Sequence, residues 1–275
     1  MKKREKLKNV QLLILSTLIA LIICFPIFYI LYISIEPPSK VFSYPPQFSL
    51  SELTFNNFVE VFNLTPFLRF IVNSLIVAII SCLLQVIFAC TAAFAFTFYN
   101  YKVKDILFLI VLATIMIPAQ TIFIGNYLII RSLGFLNTYI ALILPNAVSA
   151  FGIFFIRQYF KTIPVEFFEA AKIEGCSNIN YLVKILIPLS KPAIGSFLIY
   201  SFINIWNQYM WPLLVTDKDE VRTVQLGISM LQAAEQQNFG LIAAGVIIVI
   251  LPTFLIFLLG HNQLVKGLMA GALKG

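Results

Sequence analysis

Asn204, Asn207, Gln208 and Trp211, in the stretch NIWNQYMWP, recur at i, i+3, i+4 and i+7. On a helix that spacing gathers three amides and an indole on one face. Trp206 and Met210 fall on the neighbouring face. Amides exchange hydrogen bonds with hydroxyl groups, and an aromatic plate covers the apolar C–H face of a ring, so the set suits a neutral, hydroxyl-rich solute such as a sugar. Hydrogen bonding between helices, beside an aromatic belt at a membrane surface, needs the same residue types. The sequence leaves both readings open. Asn73 with Ser74, Gln85, Gln120, Asn126 and Asn146 are further groups of this kind.

A second set is charged. EFFEAAKIEGCSNINYLVKILIP, residues 166–188, brings together Glu166, Glu169, Lys172, Glu174 and Lys184 in a chain that is only 11% charged. It reads as two short helices with a bend. Pro164 fits the first turn, and Glu166 and Glu169 complement the dipole of the first helix. Gly175 marks its stop, and Ser177 or Asn178 caps the next. Ala170, between the two carboxylates on the exposed arc, makes a small platform that lets a partner's backbone approach. A docking helix and an ordinary amphipathic surface helix share these features.

The elements that must position these residues are membrane spans. With 60% hydrophobic residues, 27 Phe and a mean hydropathy of +0.93, the chain has more apolar surface than a soluble fold of its length hides. A span needs about 20 apolar residues. Six stretches qualify: 10–34, 70–98, 106–130, 139–156, 192–215 and 239–259. The first is too long for a signal-peptide core and lacks a small-residue cleavage site, so it is retained. The sequence therefore predicts an all-α integral membrane protein of six helices, residues 1–275 forming one transmembrane domain with a polar loop at about 161–190.

Charge fixes the expected orientation. Fourteen Lys and Arg fall on the face shared by the termini and the polar island, against five on the other, the whole complement of 19. The positive-inside rule puts both termini in the cytoplasm. The basic N-terminus MKKREKLK precedes a span and so points to the bilayer, not to nucleic acid. Two longer segments lie outside: 36–68, with PPSKVFSYPPQF, and 216–238, with TDKDEVRTVQ and a Gln-rich stretch. No acidic or basic residue sits at mid-depth in a span, against a self-powered, ion-coupled transporter or voltage sensor. The lone His261 reads as an interfacial anchor, and Cys24, Cys82, Cys90 and Cys176 as packing residues, with no metal-ligand spacing.

The island carries a resemblance. Glu169-Ala170-Ala171, then Gly175, then Ile185-Leu186-Ile187-Pro188 resembles the EAA loop of ABC importer permeases, Ile187 departing mildly from the usual Ile-x-Leu-Pro. SLGFLNTYIALILPNA, IPLSKPAI, WNQYMWPLLVT and LVKGLMAGALKG resemble the carbohydrate-uptake branch, the maltose-type second permease, over about residues 70–275. The resemblance implies the type I ABC importer permease fold. It also implies a second permease chain, an ATPase subunit dimer carrying ATP and Mg, and an extracytoplasmic solute-binding protein at a bacterial plasma membrane. Glu169 would make the charged contact with the ATPase, beside Glu166; Ala170 and Ala171 would pack closely, Gly175 would bend, and Pro188 would close the motif. No cofactor is expected on this chain, and no enzymatic activity: it has no phosphate-binding Gly-x4-Gly-Lys-Ser/Thr loop. Asn204, Asn207, Gln208, Trp211, Asn73 and Gln120 are the expected pathway residues. Glycerol-3-phosphate is the rival solute and a passive pore the rival machine. Gly267, Gly271 and Gly275 leave a bare stripe if the tail is helical, suited to lie against the ATPase subunits; a frayed, inert terminus is the other reading.

Overall fold

The computed structural model describes residues 2–37, 41, 53–234 and 238–272, with only the backbone at 2–8, 234 and 262–272. Most of PPSKVFSYPPQF, residues 235–237 of the Gln-rich stretch and Gly275 lie outside the described residues. Every regular element among the described residues is helical. In chain order they are α1 (Lys2–Ile35), α2 (Asn56–Leu64), α3 (Phe67–Phe98), α4 (Lys104–Ile115), α5 (Ala119–Ser132), α6 (Tyr139–Ile143), α7 (Ala150–Phe160) and α8 (Glu166–Ile173). The remainder are α9 (Asn178–Tyr181), α10 (Ile187–Leu189), α11 (Lys191–Trp206), α12 (Met210–Val215), α13 (Val224–Ala234) and α14 (Phe239–Ala272).

Three helices are long and apolar enough to span unbroken, over Asn9–Ile35, Phe67–Phe98 and Phe239–His261. Three further pairs of helices are bent at a short break. α4 and α5 meet at 98°, Tyr139–Asn146 and α7 at 44°, and Asn178–Leu189 and α11 at 80°. The expected continuous helix over 106–130 is thus corrected to two, parted at Met116–Pro118. Pro118 has no N–H to continue the ladder and restricts Ile117 before it. The expected span over 192–215 is corrected likewise. α11 ends at Trp206, because in a continuing helix the Pro212 ring would collide with the Gln208 carbonyl.

The chain divides into two compact units, Met1–Phe67 with Gly227–Ile250, and Leu68–Leu226 with Leu251–Gly275. In the first, α1 exposes apolar side chains over nearly its whole length, as a lipid-facing helix does. Asn57, buried at the start of α2, donates to the carbonyls of Ser34 and Glu36, both at 3.0 Å, and so satisfies the end of α1. Gly240 lies against that amide: a Cβ there would sit 2.6 Å from Asn57 Nδ2.

In the second unit α7 packs against α4 and α11, and α3 is hydrogen-bonded to α11 through Cys82, Gln85 and Ser201. Gly152 leaves room for the Phe197 ring, which a Cβ would overlap. The core runs through Cys90, Phe94, Ile156, Phe160, Phe168, Tyr181, Leu186 and Phe197.

Candidate coupling surface and translocation face

α8 is short, and its sequence makes it two-sided. Glu166 and Glu169 occupy its first turn, where the positive helix end favours carboxylates. Both are exposed, as is Ala170. Ala171 is not: it is buried with Phe168 on the opposite side. The expected pair of surface alanines is corrected to one, since Ala171 follows Phe168 by three residues and shares its inward face. Phe167 at 54% and Ile173 at 88% exposure, with Ile179 at 75%, add large apolar side chains to the outer surface of this segment.

The stop after α8 has a full physical account. Gly175 has φ +79°, a left-handed conformation that costs a residue with a Cβ about 1–2 kcal/mol. Its N–H donates to Lys172 O at 3.0 Å, and Cys176 N–H donates to Ala171 O at 2.9 Å. These two bonds form the Schellman motif. Ser177 Oγ then accepts from Asn180 N–H at 3.3 Å and caps α9. Pro164 precedes the helix, which begins at Glu166 after Val165. Pro188 stands exposed near the end of the Asn178–Leu189 run.

The inner face of α8 is fastened to the end of α3 by aromatic rings. Phe168 lies 5.9 Å from Phe94, 5.0 Å from Phe98 and 4.9 Å from Tyr181, mostly edge-on. Lys172 covers the Phe168 ring at 4.5 Å, and Asn178 donates to Tyr99 Oη at 2.6 Å. A force on α8 therefore reaches a 32-residue helix through packed rings. Sequence reading did not find this cluster. Its signal was available in aromatic residues at 94 and 98 and at 168 and 181, but only the fold brings the pairs together.

The amide face fares differently. Because α11 ends at Trp206, Asn204, Asn207, Gln208 and Trp211 do not share one helical face. Trp211 is buried and donates to Ala141 O at 3.0 Å. Gln208 and Asn146 exchange two amide bonds, of 3.0 and 2.8 Å. Asn73, also buried, donates to the carbonyls of Glu220 and Arg222 and accepts from Tyr139 Oη at 2.6 Å, clasping the 216–223 loop. These three are internal ties. Asn204 and Asn207 remain exposed, Asn204 donating to Tyr200 O and Asn207 accepting from Gln225 Nε2. Tyr200, one turn before Asn204, is exposed, its ring tilted against that of Phe151 at 4.6 Å. Gln120 is exposed just after the α4–α5 break.

Behind Gln208 runs a polar chain through the unit. Cys82 Sγ donates to Ser201 Oγ, Ser201 to Gln85 Oε1 at 2.6 Å, and Gln85 Nε2 to Asn146 O at 2.7 Å. Exposed amides such as Gln120, Asn204 and Asn207 cost of the order of 1–3 kcal/mol per group if they face lipid, so this surface needs water or protein over it.

Residues 85–263 match the sequence family described as "Binding-protein-dependent transport system inner membrane component". The arabinooligosaccharides transport system permease protein AraQ of Bacillus subtilis (strain 168) is 28% identical over 97% of this chain and 96% of its own length. The lactose transport system permease protein LacG of Rhizobium radiobacter is 31% identical over 74% of each chain. The sn-glycerol-3-phosphate transport system permease protein UgpE of Brucella abortus (strain 2308) is 34% identical over 73% of this chain and 72% of its own. A solved bacterial ABC transporter involved in import of the acidic polysaccharide alginate superposes with a TM-score of 0.81 at 22% identity, covering 94% of this chain and 96% of that one.

Proposed function

The chain belongs to the family of inner membrane components of binding-protein-dependent transport systems, and from that premise we propose that it is a permease subunit of an ATP-driven importer for a neutral sugar. The carrying observation is α8: Glu166, Glu169 and Ala170 face outward while Phe168 and Ala171 are locked to the end of α3. A separate ATPase dimer, holding ATP and Mg, grips the outer face at Glu169 and Ala170. Its closure drives α8, and the rings pass the displacement to α3. Six spans with both termini and α8 in the cytoplasm put this contact on the ATP side. The broken spans line the route with a second permease chain, and a binding protein outside delivers the solute.

Tyr200, Asn204, Asn207 and Gln120 are the pathway residues of this reading. They offer amides and one ring, the complement of sugar hydroxyls and a sugar's C–H face. Gln208, Trp211 and Asn73 hold the route's shape. The named relatives point to saccharides and, for UgpE, to glycerol-3-phosphate. None of Tyr200, Asn204, Asn207 and Gln120 is a cation able to neutralise a phosphate, which favours the sugar.

The test is uptake. The chain is reconstituted with its co-purifying ATPase, second permease and binding protein, then given labelled di- and oligosaccharides and glycerol-3-phosphate. ATP-dependent saccharide uptake that falls at least tenfold in Glu169→Lys is expected. Uptake without ATP, or a Glu169→Lys variant that transports normally, refutes the proposal.

A further inference from the structure

A cleft of about 490 Å³ opens where two spans end, lined by Thr97 and Phe98 of α3, Phe160 of α7, and residues 161–166 leading into α8. Span ends are where lipid headgroups lie. Its charged lining side chains have opposite signs, Lys161 and Glu166.

Lys161 is a cation in want of an anion. Partial burial, then the charge of Arg157 and, more weakly, of Lys104, pushes its ammonium below the usual lysine range, Asp105 opposing them. Among the described residues neither Lys161 nor Arg157 makes an ion pair. Arg157 is buried, bonded to Phe96 O at 3.2 Å and seated 3.8 Å over the Phe108 ring, so it contributes field rather than contact. A phosphate at Lys161 relieves this excess of positive charge.

The rest of the lining asks for a donor. Thr97 and Thr162 spend their hydroxyl protons on Ala93 O and Tyr159 O, both at 2.7 Å, which leaves oxygen lone pairs to accept. Glu166 is acceptor-only when ionised. A purely anionic headgroup would meet the Glu166 carboxylate, and a trimethylated ammonium has no N–H to give. We propose that this cleft binds the headgroup of a zwitterionic aminophospholipid, its phosphate on Lys161 and its primary ammonium on Glu166 and the threonine oxygens. The site lies beside α8, so a lipid there borders the surface assigned to coupling.

Native mass spectrometry of the detergent-extracted transporter, titrated with phosphatidylethanolamine, phosphatidylcholine or phosphatidylglycerol, tests this. Phosphatidylethanolamine should be retained about tenfold better than the other two, the scale of one charge-assisted hydrogen bond. Lys161→Ala should lower retention of all three lipids and Lys161→Arg keep it, which separates charge from misfolding. Glu166→Gln should turn the preference towards phosphatidylglycerol. Equal retention of the three lipids, preference of the wild type for phosphatidylglycerol, or a Lys161→Ala variant that retains phosphatidylethanolamine as well as the wild type overturns the proposal. So does binding of free phosphoethanolamine at the site in place of the lipid. Retention is read without ATP or binding protein, so a failure here is distinct from a failure of the importer reading.

Discussion

Asn146 and Gln208 stand at the breaks of two different spans and bind each other through both ends of their amides, at 3.0 and 2.8 Å. Asn146 closes the short turn before α7, and Gln208 lies between α11 and α12. Each break frees backbone that a continuous helix would satisfy, and the paired amides tie the two irregular points into one. Gln85 on the unbroken α3 joins them through Asn146 O.

Loss of this clasp should cost stability in a specific pattern. Gln208→Leu or Asn146→Leu should each lower stability by about 1–2 kcal/mol, because the remaining amide is stranded. The double variant should recover part of that, with a coupling of about 1 kcal/mol in a double-mutant cycle. Thermal unfolding in detergent, followed by Trp fluorescence, reads all three; strict additivity would deny the pair.

The left-handed Gly175 predicts a ranking. Gly175→Asn should retain most uptake, Gly175→Ala should lose stability by about 1 kcal/mol, and Gly175→Val should lose more, since only Asn visits this backbone region readily. A Val variant equal to the Asn variant would remove the Schellman turn from the coupling segment.

Two changes within one aromatic cluster should have opposite signs. Phe168→Ala empties a site between Phe94, Phe98 and Tyr181 and should cost about 3–5 kcal/mol. Tyr181→Phe removes a buried hydroxyl that has no hydrogen-bond partner among the described residues and should be neutral or stabilising by about 1 kcal/mol. Melting curves of the two variants decide it, and a destabilised Tyr181→Phe would mean the hydroxyl is bonded.

Glycines can be sorted the same way. Gly240→Ala drives a methyl into Asn57 Nδ2 and should cost about 1–3 kcal/mol, with Asn57 released from the end of α1. Gly125→Ala, on α5 where no described atom lies within 4 Å of the added methyl, should stabilise the isolated chain by about 0.5–1 kcal/mol. The comparison is made by parallel thermal melts; equal effects at the two positions would contradict the packing.

By itself the sequence determined the solvent, the helical class, and the stop that ends α8 at Gly175, while the start lies two residues beyond the expected Pro164. Apolar runs of span length have no other stable home, and Glu166, Glu169, Gly175 and Ser177 act through their own neighbours, within four residues along the chain. Local chemistry of that kind survives in the order of residues. Tertiary structure decided what each polar side chain is for. Asn204, Asn207, Gln208 and Trp211 have helical spacing, but Pro212 ends that helix and turns Trp211 to Ala141 and Gln208 to Asn146, 62 residues away. Ala170 and Ala171 are alike in sequence, yet one faces out and the other in, because Phe168 must join Phe94 and Phe98 on α3. An amide's partner and a ring's neighbours are set by contacts between distant segments, and those exist only once the spans have packed.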